Sequence, residues 1–494
     1  MVSVLHISDL HRDTGSALTT GSLLESLRLD RDRYVNDGFQ KPDLAIVSGD
    51  VVCGVASNDA DSDRALKAQY DEAEDFLIKL CDLFFGGDRE RVIIAPGNHD
   101  VSHPHVLRSM TAEKLPSDAG KRAILAKQLA VEGTQYRWVW SDFALWRISN
   151  PECYKQRMEP FATFYKAFYR GKREYSLATE EQYAIHDFRE LGVVVATLSS
   201  CCDNDLFNRS GRIHPDCIAG ATREVAVQVR NGRIPIAVWH HNLAGGPKDS
   251  DYIDGEFLQS LMDGGFVIGL HGHQHRPQFL QRRFTADGKR QLAAISAGTL
   301  CGGPDSLPVG KKRAYNLVRI DIEARKCAVH VREMKNDAFS MPVWGEAYVP
   351  EFSGSSMEFT LDMQLLAVLG DSAASEASNQ DVLGDSAASE ASNLLGQQRE
   401  RTAFEVAQKH PENEWARRVA VEALLRLDDW AEIRRFCATP QSSTELISLI
   451  EALYQLGDKV ALREFIESEP VARNSDNAVQ QSVAAARARL GERR

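Results

Sequence analysis

The stretch "GFVIGLHGHQH" (265–275) carries an apolar segment that ends in three imidazoles within five residues. An apolar run with little alternation reads as a strand buried on both faces. Its polar tail then stands at the strand's C-terminal end, the edge where open α/β sheets gather their ligands. A single His-x-His is more often a polar loop than a site, so the rest of the chain has to decide.

Working outward, five more runs have the same form: "VSVLHIS" (2–8), "DLAIVSG" (43–49), "RVIIAPG" (91–97), "GVVVATLSS" (192–200) and "IPIAVWH" (234–240). Helical patterns lie between them, such as "DRALKAQYDEAEDFLIKLCDLFF" (63–85). Alternating strands and helices predict an α/β layered core. After residue 290 strands follow without helices, in "QLAAISAGTL", "AYNLVRIDI" and "KCAVHVREM", which suggests a second sheet packed on the first. The expected fold is a two-sheet α/β sandwich flanked by helices, spanning 1–352 with a helical insertion at about 102–190.

From 353 to 397 the composition turns to Ser, Ala and Asp, and "VLGDSAASEASN" occurs twice, at 368–379 and 382–393. An identical duplication without aromatics reads as a flexible linker. Beyond it, "ALLRLDDWAEIRRF" (423–436) and "ALYQLGDKVALREF" (452–465) align without gaps. That pattern predicts an all-α helical-repeat tail over 398–494, in the style of tetratricopeptide repeats, able to hold a protein partner or to self-associate. A small helical bundle is the other reading.

With 494 residues, two or three units are expected. A net charge of −12 argues against unspecific coating of nucleic acid or anionic membrane by the whole surface. Neither a cleavable leader nor an apolar run of membrane length is read. Nine cysteines, an odd number without metal-type spacing, point to reduced thiols and a cytoplasmic protein.

Five of the six core strands end in oxygen or imidazole ligands: Asp9 and His11, then Asp50, then Asn98, His99 and Asp100, then His240 and His241, then His271, His273 and His275. One such cluster means little, but five in register are hard to produce by chance. Asp and His together suit Mn²⁺, Fe²⁺, Zn²⁺, Co²⁺ or Ni²⁺ better than Ca²⁺ or Mg²⁺. Asp9, His11, Asp50, Asn98, His240, His273 and His275 are too many ligands for one ion, and right for two that share a carboxylate. Such a pair clamps both oxygens of an in-line phosphoryl displacement.

The ordered blocks "DLH" (9–11), "GD" (49–50), "GNHD" (97–100), "WHHN" (239–242) and "GHQH" (272–275) resemble those of the calcineurin-like metallophosphoesterases, in their dinuclear phosphodiesterase and nuclease branch. The resemblance covers about 1–335. It implies one metal on Asp9, His11, Asp50 and His275, and a second on Asp50, Asn98, His240 and His273, with Asp50 bridging and Mn²⁺ the first choice. It further implies attack by a hydroxide between the ions. His99 would protonate the leaving oxygen, oriented by Asp100, and His241 would face the substrate or support a ligand.

The family acts on many phosphoesters, so the substrate must be read from the insertions. In "YKQRMEPFATFYKAFYRGKREY" (154–175) aromatic residues recur at helical spacing among basic ones. That suits a nucleic acid, but an amphipathic helix with its aromatic stripe in the core is preferred. Asp203, Asn204, Asn208 and Arg209 follow a core strand and are candidate substrate contacts. The expectation is a phosphodiesterase acting on DNA, RNA or a nucleotide. A cyclic-nucleotide phosphodiesterase, a phosphomonoesterase or protein phosphatase, and a scaffold acting through its tail remain as alternatives.

Overall fold

The computed structural model describes residues 1–129, 131, 133–140, 142–243, 251–253, 255–283, 291–303, 307–308, 310–336, 338–361, 387–388, 391–392, 394–395, 399–474 and 476–490. The chain divides into two compact units, Met1–Leu369 and Gly370–Arg494.

In the first unit the six apolar runs do form strands, but they split three and three. β1 (Val2–Ile7), β2 (Leu44–Ser48) and β3 (Val92–Ala95) run parallel in a seven-stranded sheet. β8 (Val193–Leu198), β9 (Ile234–Val238) and β10 (Ile268–His271) run parallel in a six-stranded one, with β7 (Tyr183–Phe188) antiparallel at its edge. The period of two explains why these strands are apolar on both faces. In β1, Val2 and Val4 point between the sheets, where they join Ile46, Ile93, Val195 and Ile236. Leu5 and Ile7 point outward, against Leu66, Phe76 and Phe161 of the covering helices. On the other sheet Val194, Ala196 and Leu198 face helices 215–230 and 256–263. Helix, sheet, sheet and helix therefore stack as four layers, each fully buried Val, Leu or Ile contributing about 1.5–3 kcal/mol.

Three expectations are corrected. The strands after residue 290 do not build a separate sheet. β12 (Gln291–Ser296) extends the second sheet beside β10, whereas β13 (Ala314–Asp321) pairs antiparallel with β1. The insertion is not purely helical, because Met110–Glu113, Ala144–Ile148 and Tyr136–Val139 form a three-stranded antiparallel sheet. Its strands are only four or five residues long, too short for a period of two to stand out among the helices around them. Finally, the boundary at 352 is too early: Ser356–Thr360 pairs with Lys326–Met334 and completes the first sheet.

The aromatic residues of 154–175 face the core. Phe161, Phe164, Tyr165 and Phe168 on helix Glu159–Phe168 are buried, and the basic side chains find local partners. Lys166 pairs with Glu174, Lys172 with Glu90, and Arg173 lies over the Tyr169 ring.

The second unit is helical, with helices at Glu400–Ala407, Glu414–Arg426, Trp430–Phe436, Ser443–Gln455, Lys459–Ile466, Glu469–Ala472 and Asn477–Arg489. The two aligned stretches have the same local geometry. Asp428 and Gly457 each take a left-handed conformation, and Asp429 and Asp458 each cap the helix that follows. The first copy of the duplication lies outside the described residues. From the second copy and its flank, Ala388, Ala391, Leu394 and Leu395 are buried in the helical core, so this part of the expected linker belongs to the packed unit. No helix among the described residues is long and apolar enough to cross a membrane.

Candidate metal centre

The rims of the two sheets meet where β1, β2, β3, β9 and β10 end. The loops after β1 and β2 are laced together, since the Asp9, His11 and Arg12 amides donate to the carbonyls of Gly49, Asp50 and Val51. The backbone is strained here. Asp9, His11, Asp50, His273 and His275 all have left-handed φ, at 51°, 43°, 51°, 80° and 54°. Each such residue costs on the order of 1–3 kcal/mol and persists only where its surroundings hold it. Five predicted ligands sharing this rare conformation mark one overdetermined site. Two glycines permit the approach: a Cβ on Gly49, at φ +101°, would strike the His240 ring, and one on Gly97 would strike the Asp50 carboxylate.

The predicted ligands form two adjoining groups. In one, His275 Nε2 lies 3.0 Å from His11 Nε2 and 3.2 Å from Asp9 Oδ1. In the other, Asn98 Oδ1 lies 3.1 Å from His240 Nε2 and 2.9 Å from His273 Nδ1, with the two ring nitrogens 3.3 Å apart. Asp50 stands between them, its Oδ2 3.1 Å from His240 Nε2 and 3.8 Å from His11 Nε2. Its other oxygen accepts from the His99 amide at 2.9 Å.

The electrostatics fit a cation. Asp9, Asp50 and His240 are fully buried, and Asp9 Oδ1 faces the His275 ring nitrogen at 3.2 Å. Burial alone would raise both carboxyls, but the surrounding imidazoles, His275 for Asp9 and His240 for Asp50, hold them below the usual range. Burial works to lower His240, yet the Asp50 and Asp9 charges outweigh it and lift the imidazole to about 9. The carboxylates thus draw positive charge into the pocket. A divalent cation supplies that charge and leaves the imidazole neutral. The His240 tautomer is already suited, because Nδ1 faces the Ser48 carbonyl at 2.8 Å and must carry the hydrogen when the ring is neutral. His11, lowered to about 4 by burial, offers a neutral ring.

One of the expected roles changes. His99 has an imidazole nitrogen within 4.8 Å of ligand atoms of His11 and Asp50, as expected for a group beside the reaction. Asp100 does not orient it. The Asp100 carboxylate accepts from the Gly97 and Val51 amides and from the Tyr70 hydroxyl, and burial pushes its pKa up to about 7. The oriented contact on His99 Nδ1 is instead the Cys53 carbonyl, at 2.6 Å. The short 97–100 turn leaves adjacent side chains on opposite sides, so neighbours in sequence part company. His241 takes the second of its two expected places, beside a candidate ligand. It is fully buried between Ser200 Oγ and Asn204, with its ring 4.7 Å from that of His273.

The other substrate candidates are mostly used inside their own loop. Asn204 is buried against His241, Asp203 pairs with Arg212, and Asn208 donates to the Asp203 carbonyl. Arg209 is exposed, and its charge acts on Asp251 and His103. His271 stacks on Trp239 and is not brought into the ligand groups. His6, a core histidine by expectation, lies buried against Ser48 Oγ.

Asp251 escaped the sequence reading. Its Oδ2 is 3.5 Å from His273 Nε2, on the ring edge opposite Asn98 and His240. One of three Asp residues in "KDSDYIDG", it gives no signal of this, because only the fold brings it to His273.

Residues 2–277 match the pattern of the calcineurin-like phosphoesterases. No curated protein matches significantly in sequence. Similar solved structures include a dimetal phosphatase from Danio rerio, with 10% identity, TM-score 0.36 and coverage of 73% of this chain and 99% of that one. A Vps29 variant from Entamoeba histolytica has 10% identity and TM-score 0.26, with coverage of 73% and 100%. The calcineurin-like phosphoesterase YfkN from Bacillus subtilis has 11% identity and TM-score 0.28, with coverage of 74% and 91%.

Proposed function

This chain belongs to the calcineurin-like phosphoesterases, matched over residues 2–277, and we propose that it hydrolyses a phosphodiester in nucleic acid or a nucleotide with two divalent cations, Mn²⁺ foremost. The observation that carries the two-cation reading is the placement of Asp50 Oδ2 between the Asp9, His11, His275 group and the Asn98, His240, His273 group. When bound, the cations supply Lewis acidity to the phosphoryl oxygens and to the attacking water.

The chain's own residues do the rest. Asp50 would hold both ions, and its negative charge would offset part of their mutual repulsion. His99, whose Nδ1–H donates to the Cys53 carbonyl, would act as the imidazolium, giving its Nε2 proton to the leaving oxygen and becoming neutral. Exposed Arg209 offers a contact for a second, non-reacting phosphate, as a diester in a polymer requires. The helical tail is proposed to bind a protein partner or a second copy, and the nine free thiols suit a cytoplasmic setting.

Initial rates on bis(p-nitrophenyl) phosphate and p-nitrophenyl phosphate with Mn²⁺ test the reaction, followed by labelled single-stranded and duplex DNA. A preference for the diester, lost with chelator and in Asp50→Ala, supports the proposal. A preference for the monoester replaces it with a phosphatase.

A further inference from the structure

The three-stranded insert carries exposed apolar side chains that nothing in the catalytic reading uses. Trp140 and Phe143, at the hairpin between Tyr136–Val139 and Ala144–Ile148, are 74% and 73% exposed. Burying such a ring is favourable, so two exposed together forgo a stabilisation that packing would give. Phe143 also has φ +48°, a position a turn would ordinarily give to Gly or Asn. Turn chemistry and packing both argue against Phe at this site. The adjoining helix Ala119–Leu129 buries only Leu125, leaving Ile124 59% exposed. Lys121, Arg122 and Lys127 of this helix, and Lys114 in the segment before it, are all exposed in a chain of net charge −12.

The insert is anchored to the metal centre. Arg137 Nε donates to Asp205 Oδ2 at 2.8 Å within a buried ion pair, and Trp146 stacks on Phe207 with ring centroids 5.3 Å apart. Asp205 and Phe207 belong to the 203–210 loop, which also sends Asn204 to His241 and places Arg209 where its charge acts on Asp251. One rigid connection thus runs from the aromatic hairpin to the rim that holds His273.

We propose that the insert's exposed Trp140 and Phe143, with the cations of helix 119–129, form a stacking and phosphate-binding platform for a single-stranded polynucleotide leading to the metal centre. The inference rests on the phosphodiesterase reading and narrows its substrate to a polymer. Aromatic faces stack on any base, and flanking cations track the backbone. The connection to the catalytic rim favours this ligand over an anionic membrane, which the same residue types could also meet.

The test uses the full chain with labelled oligothymidylate of about 20 nucleotides, long enough to cover a typical single-strand site. Binding is followed by fluorescence anisotropy with chelator present, so that no turnover intervenes. The Trp140→Ala/Phe143→Ala variant should weaken binding by about tenfold or more. Lys121→Glu/Arg122→Glu should weaken it and flatten its salt dependence. Both should retain wild-type turnover of bis(p-nitrophenyl) phosphate with Mn²⁺ and the wild-type unfolding temperature.

Unchanged oligonucleotide binding in both variants overturns the inference, even when the diester is hydrolysed. Binding of vesicles of equal phosphatidylglycerol and phosphatidylcholine without oligonucleotide binding overturns it in favour of a membrane. Loss of binding in the variants of a chain that hydrolyses no diester leaves the platform standing and removes the proposed reaction instead.

Discussion

The metal rim and the insert handle strain and exposure in opposite ways. At the rim, five ligands accept left-handed backbone, and buried carboxylates crowd together, so that lone pairs converge on one small volume. In the insert one left-handed Phe and an exposed Trp face solvent, while Met110, Trp146 and Ile148 pack on the core and Arg137 pairs with buried Asp205. Strain inside a core is held by every layer around it. On the surface hairpin the left-handed Phe143 has no such packing around it, being 73% exposed.

The strongest way to break this comparison is at Asp50. Asp50→Ala should take diester turnover to background and lower the metal content below two ions per chain, measured by plasma mass spectrometry. Two ions retained in that variant would remove Asp50 from the shared position.

The insert has its own critical point. Arg137→Met leaves the Asp205 carboxylate buried without its cation, a change that costs about 3–5 kcal/mol. Urea unfolding should show the loss, and a variant as stable as wild type would mean that Asp205's remaining hydrogen bonds suffice.

A subtler probe sharpens the rim. Asp251→Asn keeps shape but removes the charge beside His273 Nε2. Carboxylates that orient ligating histidines are worth about 10–100-fold in metal affinity. Calorimetric titration with Mn²⁺ should show that drop at one of two sites, and equal affinities would leave Asp251 a bystander.

The smallest expected effect lies away from both regions. Burial lowers the His186 imidazole from 6.5 to about 3. Below pH 6.5 the unfolded chain binds a proton that the folded chain refuses. The stability associated with the neutral ring is therefore complete above pH 6.5 and falls as pH drops toward 3, by about 2 kcal/mol at pH 5. In His186→Phe, denaturant unfolding should lose less stability than wild type between pH 7.5 and pH 5. Parallel pH profiles would show that His186 is not insulated from solvent.

The candidate ligands were legible because each sits close to the end of a buried apolar strand, where a short motif can be seen locally. Asp9, His11, Asp50, Asn98, His240, His273 and His275 all come together as the motifs suggest. Legibility failed where two adjacent residues could turn either way. Nothing in "GNHD" says that Asp100 caps the Gly97 and Val51 amides while His99 turns to the Cys53 carbonyl. Nothing in "WHHN" says that His241 is sealed behind His273. Asp251 and the Arg137–Asp205 pair join positions far apart in the chain, beyond the reach of any local pattern.

Sequence alone determined the α/β class, the six core strands, the metal-binding chemistry and the helical character of the tail. Those follow from hydrophobic period and from side-chain chemistry at strand ends, both properties of contiguous residues. Tertiary structure alone decided how the strands divide between two sheets, that the insert contains a sheet of its own, and which of two neighbouring histidines points into the site. Each of these depends on pairing and burial across long sequence separations, where hydrogen-bond satisfaction and packing select among conformations that the local chain leaves nearly equal in energy.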